Sequence, residues 1–364
     1  MNKLLEFYKN KKVLITGYTG FKGTWLTRIL LDVGAEVQGY SLNPPTDPAL
    51  FNLAGLSSFP TFRSTISDVR DLEKMKEVFS SFQPEIVLHL AAQPIVRTSY
   101  QDPVGTYSTN VMGTVNILEC VRLTPSVRSF LNVTTDKVYH NNEWCYGYRE
   151  NEPLDGYDPY SNSKSCSELV THSYKNSFFA DTDGQDGRRY VAISTARAGN
   201  VIGGGDFAKD RIIPDCVRAM EKGEVIGVRN PYSTRPYQHV LEPLAVYLTI
   251  GKSQYEDLKY SGYYNVGPDD CDCVTTGELV DLFCKKWNGS GAEEAKWENH
   301  AESNAPHEAN FLKLDTSLIK TTFHWQPRWH IDECMEKTVQ FSKVWLNGGN
   351  VAAEMDKEIE EFFG

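Results

Sequence analysis

Several classes of protein are excluded by what the sequence lacks. It has no Cys-x-x-Cys pair: the eight cysteines are scattered, and Cys271-x-Cys273 has no second half. Neither a disulfide framework nor a thiolate zinc site is indicated, and free thiols in a reducing cytoplasm are expected. His307-Glu308 lacks the second histidine of a zinc helix, so no metal is expected. No apolar run approaches the about 20 residues that a membrane-spanning helix needs. Met1 to Lys12 alternates charge around Leu4-Leu5, without the apolar core of a signal peptide. Positive charge is also short: 37 Lys and Arg against 48 Asp and Glu leave a formal net charge of −11. That balance argues against a nucleic-acid or anionic-membrane partner but leaves room for a local basic pocket. Internal repeats and low-complexity tracts are missing.

What is present reads as an α/β protein. The 364 residues, 40% hydrophobic and 23% charged, suit a soluble globular chain with two unequal domains. Residues 11–16 (KKVLIT) form a β-rich run that stops at Gly17-Tyr18-Thr19-Gly20-Phe21-Lys22-Gly23, and a helical apolar pattern follows through Leu31. In that strand–turn–helix setting the glycines let the backbone turn tightly and let a pyrophosphate reach a helix N-terminus. The spacing is G-x-x-G-x-x-G, not the common G-x-G-x-x-G. A second strand over 36–40 runs into Tyr40-Ser41-Leu42-Asn43, which offers neither an acid for a ribose hydroxyl nor an arginine for a ribose phosphate. This position therefore leaves NAD and NADP both open; Ser41 and Asn43 are ribose partners or turn residues.

Strand and helix signals keep alternating. A helix capped by Asp71 is expected to run to Phe82, then a strand over 85–90 leading into Ala91-Ala92-Gln93. A long helix over 103–122 and a strand over 129–134 follow. Near-continuous apolar strands separated by helices predict a doubly wound parallel sheet, with ligands at the carboxyl ends of its strands. At one such end stand Thr135, Asp136 and Lys137. A hydroxyl, an acid and an amine together can protonate one substrate group and deprotonate another, or form a solvated turn with an ion pair. Residues 141–159 read as a loop over the pocket. Tyr160 and Lys164 lie four apart at the start of a helix expected to reach about Phe179, hence on one face. They are an ordinary exposed pair, or a phenol whose proton a neighbouring cation makes easier to lose. A strand over 189–195 comes next. From Arg197 the pattern changes, and a glycine-rich loop (198–206) leaves the sheet; it lacks the Lys-Ser/Thr ending of an ATP loop. Helices near 212–221, 275–287 and 330–347 and a last one from 351 are expected, with strands over 224–228 and 263–266. Lys209, Arg211, Arg235 and His239 offer cations for a diphosphate.

These motifs together resemble the extended short-chain dehydrogenase/reductase family, and within it the nucleotide-sugar 4,6-dehydratases. The residues that carry the resemblance are Thr16 to Gly23, Ala91-Ala92-Gln93, Thr135-Asp136-Lys137 and Tyr160-x-x-x-Lys164. Asp136-Lys137, where many relatives carry Asp-Glu, points to the branch acting on CDP-glucose, as do Tyr148–Pro153, Asp158–Lys164, Arg197–Asp206, Arg229–Pro236 and Pro306–Asn310. The resemblance implies a Rossmann domain over 1–198 with about 237–268, and a sugar-nucleotide domain over about 199–236 and 269–364. It implies bound NAD, with Gly17, Gly20, Phe21 and Gly23 at the pyrophosphate, Asp68 and Val69 near adenine, Ala91 and Ala92 against the cofactor, and Lys164 on the nicotinamide ribose. Gln93, Asn200, Arg211, Arg235, Asn265 and His307 are the implied substrate contacts. Tyr160 would take the sugar 4-hydroxyl proton with help from Thr135, Asp136 would protonate the leaving 6-hydroxyl, and Lys137 would have to act as an unprotonated amine. A homodimer or homotetramer paired through helices 103–122 and 160–179 is implied as well. The rival readings are another dehydratase or a 4-epimerase on the same scaffold, and a non-catalytic NAD-binding regulator.

Overall fold

The computed structural model describes residues 3–179, 188–289, 295–300 and 311–364. Its frame is a seven-stranded sheet of β1 (Lys12–Thr16), β2 (Glu36–Ser41), β3 (Phe62–Ile66), β4 (Ile86–His89), β5 (Ser129–Val133), β6 (Ala192–Ala198) and β7 (Tyr263–Val266), ordered β7-β6-β5-β4-β1-β2-β3. Every neighbouring pair is parallel, so the doubly wound sheet is the expected one. The strand order reverses between β1 and β4, and the crevice at their carboxyl ends is where such sheets hold ligands.

Helices α1 (Phe21–Asp32), α2 (Leu72–Phe82), α3 (Gly113–Leu123), α4 (Pro159–Phe178), α5 (Ile212–Lys222), α6 (Leu241–Glu256), α7 (Thr276–Asn288), α8 (Ile331–Leu346) and α9 (Val351–Phe363) complete the frame. Asp71 caps α2 as expected, its carboxylate accepting the Lys74 N–H at 3.0 Å. The helix expected over 103–122 is a turn of α-helix (Pro103–Tyr107), a π turn (Ser108–Met112) and then α3. Asn110, buried within the π turn, accepts the Gln93 N–H (2.8 Å) and donates to the Gln93 carbonyl (3.1 Å) and Ser163 Oγ (2.9 Å). The π turn thus ties the loop after β4 to α4, an irregularity of the kind that gathers at functional sites.

Two elements of the sheet depart from expectation. β3 went unread because its sequence, FRSTI, is polar and largely exposed at the sheet edge. β6 begins at Ala192, not 189, and continues through Arg197, whose charge is hidden by a buried partner. Beyond the sheet, Val201–Ile202 pairs with Gln238–His239, Thr234–Pro236 with Cys273–Thr275, and Ile226–Val228 with Trp297–Asn299. One apolar cluster extends from Val13 and Trp25 to Phe341 and Met355, so both parts of the chain share a core. Across it the Trp25 indole donates to the Gly204 carbonyl at 3.0 Å. The 141–159 loop does not hang free: Tyr148 packs with Tyr139, Leu312 and Leu314 in a small buried cluster.

Candidate active site

The crevice begins at the glycine turn. Gly17 has φ +75°, and a Cβ there would lie 2.8 Å from the Ala91 nitrogen. A Cβ on Gly23 would lie 2.1 Å from the Gly17 carbonyl oxygen, so α1 packs against the turn only because this residue has no side chain. Gly20 stands at the N-cap of α1. Thr16 Oγ1 locks the two strand ends together, accepting the Leu90 and Ala91 N–H groups at 3.2 and 3.1 Å. The result is a bare helix N-terminus at the strand-order switch, shaped for a dinucleotide diphosphate. Phe21 lies beside Gly203 on the far wall of the crevice. Val69 packs on Gly113, while the Asp68 carboxylate is clamped by Arg70, which holds its pKa below the ordinary carboxylate range. The Ser41 hydroxyl is engaged with Thr19 at 2.8 Å.

Thr135, Asp136 and Lys137 follow β5 in a short 3₁₀ turn. Asp136 is fully buried. Its Oδ1 accepts from the Thr135 hydroxyl and from Lys137 Nζ, both at 2.9 Å, and its Oδ2 has no partner among the described residues. Lys137 Nζ also donates to Asn200 Oδ1 at 3.3 Å, bringing that predicted residue into the site. A buried carboxylate oxygen without a donor is unfavourable unless it serves a function.

Asp158 caps α4, accepting the Ser161 N–H at 3.0 Å, and the helix delivers Tyr160 and Lys164 to the same crevice. The Tyr160 phenol is hydrogen-bonded to Thr135, and burial pushes it up to about 12. Lys164 is buried and pulled down to about 8, with Glu168 opposing the fall. Its ammonium donates to the Val133 carbonyl at 3.0 Å. The expected easing of Tyr160 by Lys164 is therefore not what dominates here: burial does. Arg211, at the N-cap of α5, is held by Asp206 at 2.9 Å and lies close enough for its charge to bear on Tyr160.

The other predicted substrate contacts are placed as follows. Asn265 is buried with its side chain spent: Oδ1 accepts from the Tyr139 hydroxyl (2.5 Å), and Nδ2 donates to the carbonyls of Tyr148 (2.7 Å) and Asp315 (3.0 Å). It pins β7 to the 139–150 loop and has no donor left for a phosphate. Gln93 is likewise engaged at both ends, with Thr106 at 2.9 Å and the Ile95 N–H at 2.6 Å. Arg235 is buried on its strand, donating to the Thr234 carbonyl at 3.0 Å. His307 lies outside the described residues. Two residues were missed: Lys22, inside the glycine turn, and Tyr247 on α6. The turn was read for its glycines alone, and α6 carried no motif.

Residues 14–338 match the model of the family described as GDP-mannose 4,6 dehydratase. The chain belongs to that family. Among relatives in the family, the CDP-glucose 4,6-dehydratase of Salmonella typhimurium is 46% identical over 358 residues, 98% of this chain and 97% of the relative. A probable dTDP-glucose 4,6-dehydratase of Sinorhizobium fredii is 33% identical over 343 residues, 91% of this chain and 92% of the relative. The crystal structure of DesIV, a dTDP-glucose 4,6-dehydratase of Streptomyces venezuelae with NAD and TYD bound, shares the fold with TM-score 0.75 at 21% identity, covering 93% of this chain and 98% of that one.

Proposed function

We propose that the chain is a CDP-glucose 4,6-dehydratase that keeps NAD bound and converts CDP-glucose to CDP-4-keto-6-deoxyglucose and water. The observation that carries the reading is the meeting of Tyr160, Thr135, Asp136 and Lys137 at the dinucleotide crevice. The substrate base rests on the 46% identity to the Salmonella enzyme. On this reading residues 1–198 with about 237–268 hold the cofactor, and about 199–236 with 269–364 hold the sugar nucleotide.

NAD supplies a temporary hydride acceptor for carbon 4. The protein's part is proton traffic. Tyr160, in the phenolate form that the cations of Lys164 and of a bound nicotinamide would favour against the effect of burial, would take the 4-hydroxyl proton, and Thr135 would position that oxygen. The 4-ketone then acidifies carbon 5, and a base and an acid must act on carbons 5 and 6 together. Asp136 and Lys137 share one proton along a 2.9 Å hydrogen bond. With the proton on nitrogen the pair is an ion pair; moved to oxygen, it becomes a neutral acid beside a neutral amine. The second form is the one elimination needs, Lys137 taking the carbon-5 proton as Asp136 gives one to the departing hydroxyl. An epimerase would need no such pair.

Turnover of CDP-glucose in deuterated water tests the reading. Deuterium at carbon 5 of a 4-keto-6-deoxy product is the expected result; epimerised sugar, net cofactor reduction or no reaction would refute it.

We further propose that the protein works as a homodimer, or as a tetramer built from such dimers, through α3, α4 and the turns before α3. Val104, Met112, Leu169 and Phe178 are exposed there, around a shallow apolar concavity that includes Tyr107 and Cys166. Such a patch on a soluble protein is ordinarily covered. The double variant Val104→Glu, Leu169→Glu is expected to sediment as a monomer at concentrations where the unaltered protein is at least a dimer; equal masses for the two would discard the interface. A cytoplasmic setting fits eight free thiols, and no helix among the described residues is long and apolar enough to cross a membrane.

A further inference from the structure

Lys22 is the second residue of α1, and its side chain leaves the glycine turn toward the reaction site. Its Nζ lies 6.0 Å from the centre of the Tyr247 ring and has no hydrogen-bond or ion-pair partner among the described residues. Tyr247 itself is fully buried, with a hydroxyl that has no partner among the described residues, and it lies near enough to Tyr160 to feel its charge. Around Lys22 stand Arg211 from the start of α5, Lys164 from α4, and Asp136 and Lys137 from the turn after β5. Asp206 is already paired with Arg211. The crevice therefore sets Lys22 among three cations and two carboxylates, and the buried Tyr247 hydroxyl has no partner among the described residues. A surplus of basic groups of this kind favours an anionic ligand.

We propose that Lys22 is a direct ligand of a nucleotide diphosphate bound across this crevice, and that its amine takes up a proton as the anion enters. The inference rests on the proposed dinucleotide and sugar-nucleotide sites. Without a ligand, burial first, and then the charges of Arg211, Lys164 and Lys137, pull Lys22 down to about 7 despite the opposing Asp136. Much of the population is then a neutral amine near neutral pH. A diphosphate brings the missing negative charge, favours the ammonium, and gives it oxygens to donate to. Only the N–H bond forms: the proton comes from solvent, and no covalent or redox change is involved. The sign follows from linkage. Below about pH 7 the amine is already charged, so binding takes up no proton. Above it binding and protonation are coupled, and affinity falls as pH rises toward the value of the bound state. Lys137 differs because its ammonium is already held by Asp136 and Asn200.

Calorimetric titration in buffers of different ionisation heat reads the effect directly. NAD and CDP serve as separate probes, since either diphosphate can be the one that Lys22 meets. For one of them the protein should take up about half a proton per ligand bound at pH 7 and close to one at pH 8. Lys22→Gln should lose that uptake, and Lys22→Arg, charged at every pH tested, should keep the affinity without it. Proton number is counted per ligand bound, so a partly misfolded variant lowers the stoichiometry and leaves the readout intact. Binding of both probes without uptake, or uptake unchanged in Lys22→Gln, overturns the inference. If neither probe binds, it is the proposed function that fails.

Discussion

Asp136→Asn is expected to slow turnover of CDP-glucose by about 10²–10⁴-fold, the usual worth of a positioned acid, while the protein stays folded. The amide oxygen can still accept from the Thr135 hydroxyl and from Lys137 Nζ, the two bonds that Asp136 Oδ1 now makes at 2.9 Å. What is lost is the transferable proton, and with it the neutral acid–amine form of the pair. Tyr160 and Lys164 are untouched, so oxidation at carbon 4 should proceed and then stall. Mixing the variant with CDP-glucose should leave the bound cofactor reduced, visible as a stable rise in its near-ultraviolet absorbance. The unaltered enzyme should show almost none, because the hydride returns. A variant with near-normal turnover, or one that is slow without accumulating reduced cofactor, would take the acid's role from Asp136.

The second large effect is on stability. Glu168→Gln should destabilise the protein by about 3–5 kcal/mol, the cost of leaving one member of a buried ion pair alone. Glu168 and Arg197 are both almost completely buried, 2.9 Å apart. The same carboxylate accepts from Thr134 at 2.5 Å and from Thr195 at 2.8 Å, joining α4 to β6 and to the turn that carries Thr135 and Asp136. Arg197 in turn holds the Tyr139 hydroxyl (2.8 Å) and the Glu150 carbonyl (2.9 Å). The loss should appear as a lower midpoint in denaturant with an unchanged slope. Activity of the folded fraction should change too, because Glu168 is the charge that holds Lys164 up against burial. Without it the Lys164 amine is charged over a narrower range, and the alkaline limb of the pH profile should move to lower pH. A midpoint within the error of the unaltered protein would show that Arg197 finds another partner.

These two residues also mark how far the sequence could be read. Asp136 was legible because it sits at a strand end between a hydroxyl and an amine, and local order alone brought the three together. Glu168 was not: it is one acid among several polar residues on α4, and its partners are 27 to 34 residues away. Arg197 hid the true extent of β6 for the same reason, since a charge inside a strand looks like its end until the opposing charge is known. Asn265 shows the converse: the family resemblance alone implied it as a substrate contact, and only the structure shows that Tyr139, Tyr148 and Asp315 engage both ends of its amide.

By itself the sequence determined the parallel sheet, the glycine turn and the three chemical pieces at 135–137, 160 and 164, because each is specified over a few neighbouring residues. Period, turn chemistry and spacing act locally and survive without knowledge of the fold. Only the tertiary structure decided the electrical state of those pieces. It buried Lys164 and half-buried Tyr160, gave Lys137 its partners, left Asp136 Oδ2 and the Tyr247 hydroxyl without theirs among the described residues, and placed Lys22 among three cations. Burial and charge proximity depend on which distant segments meet, and a residue's neighbours along the chain do not record them.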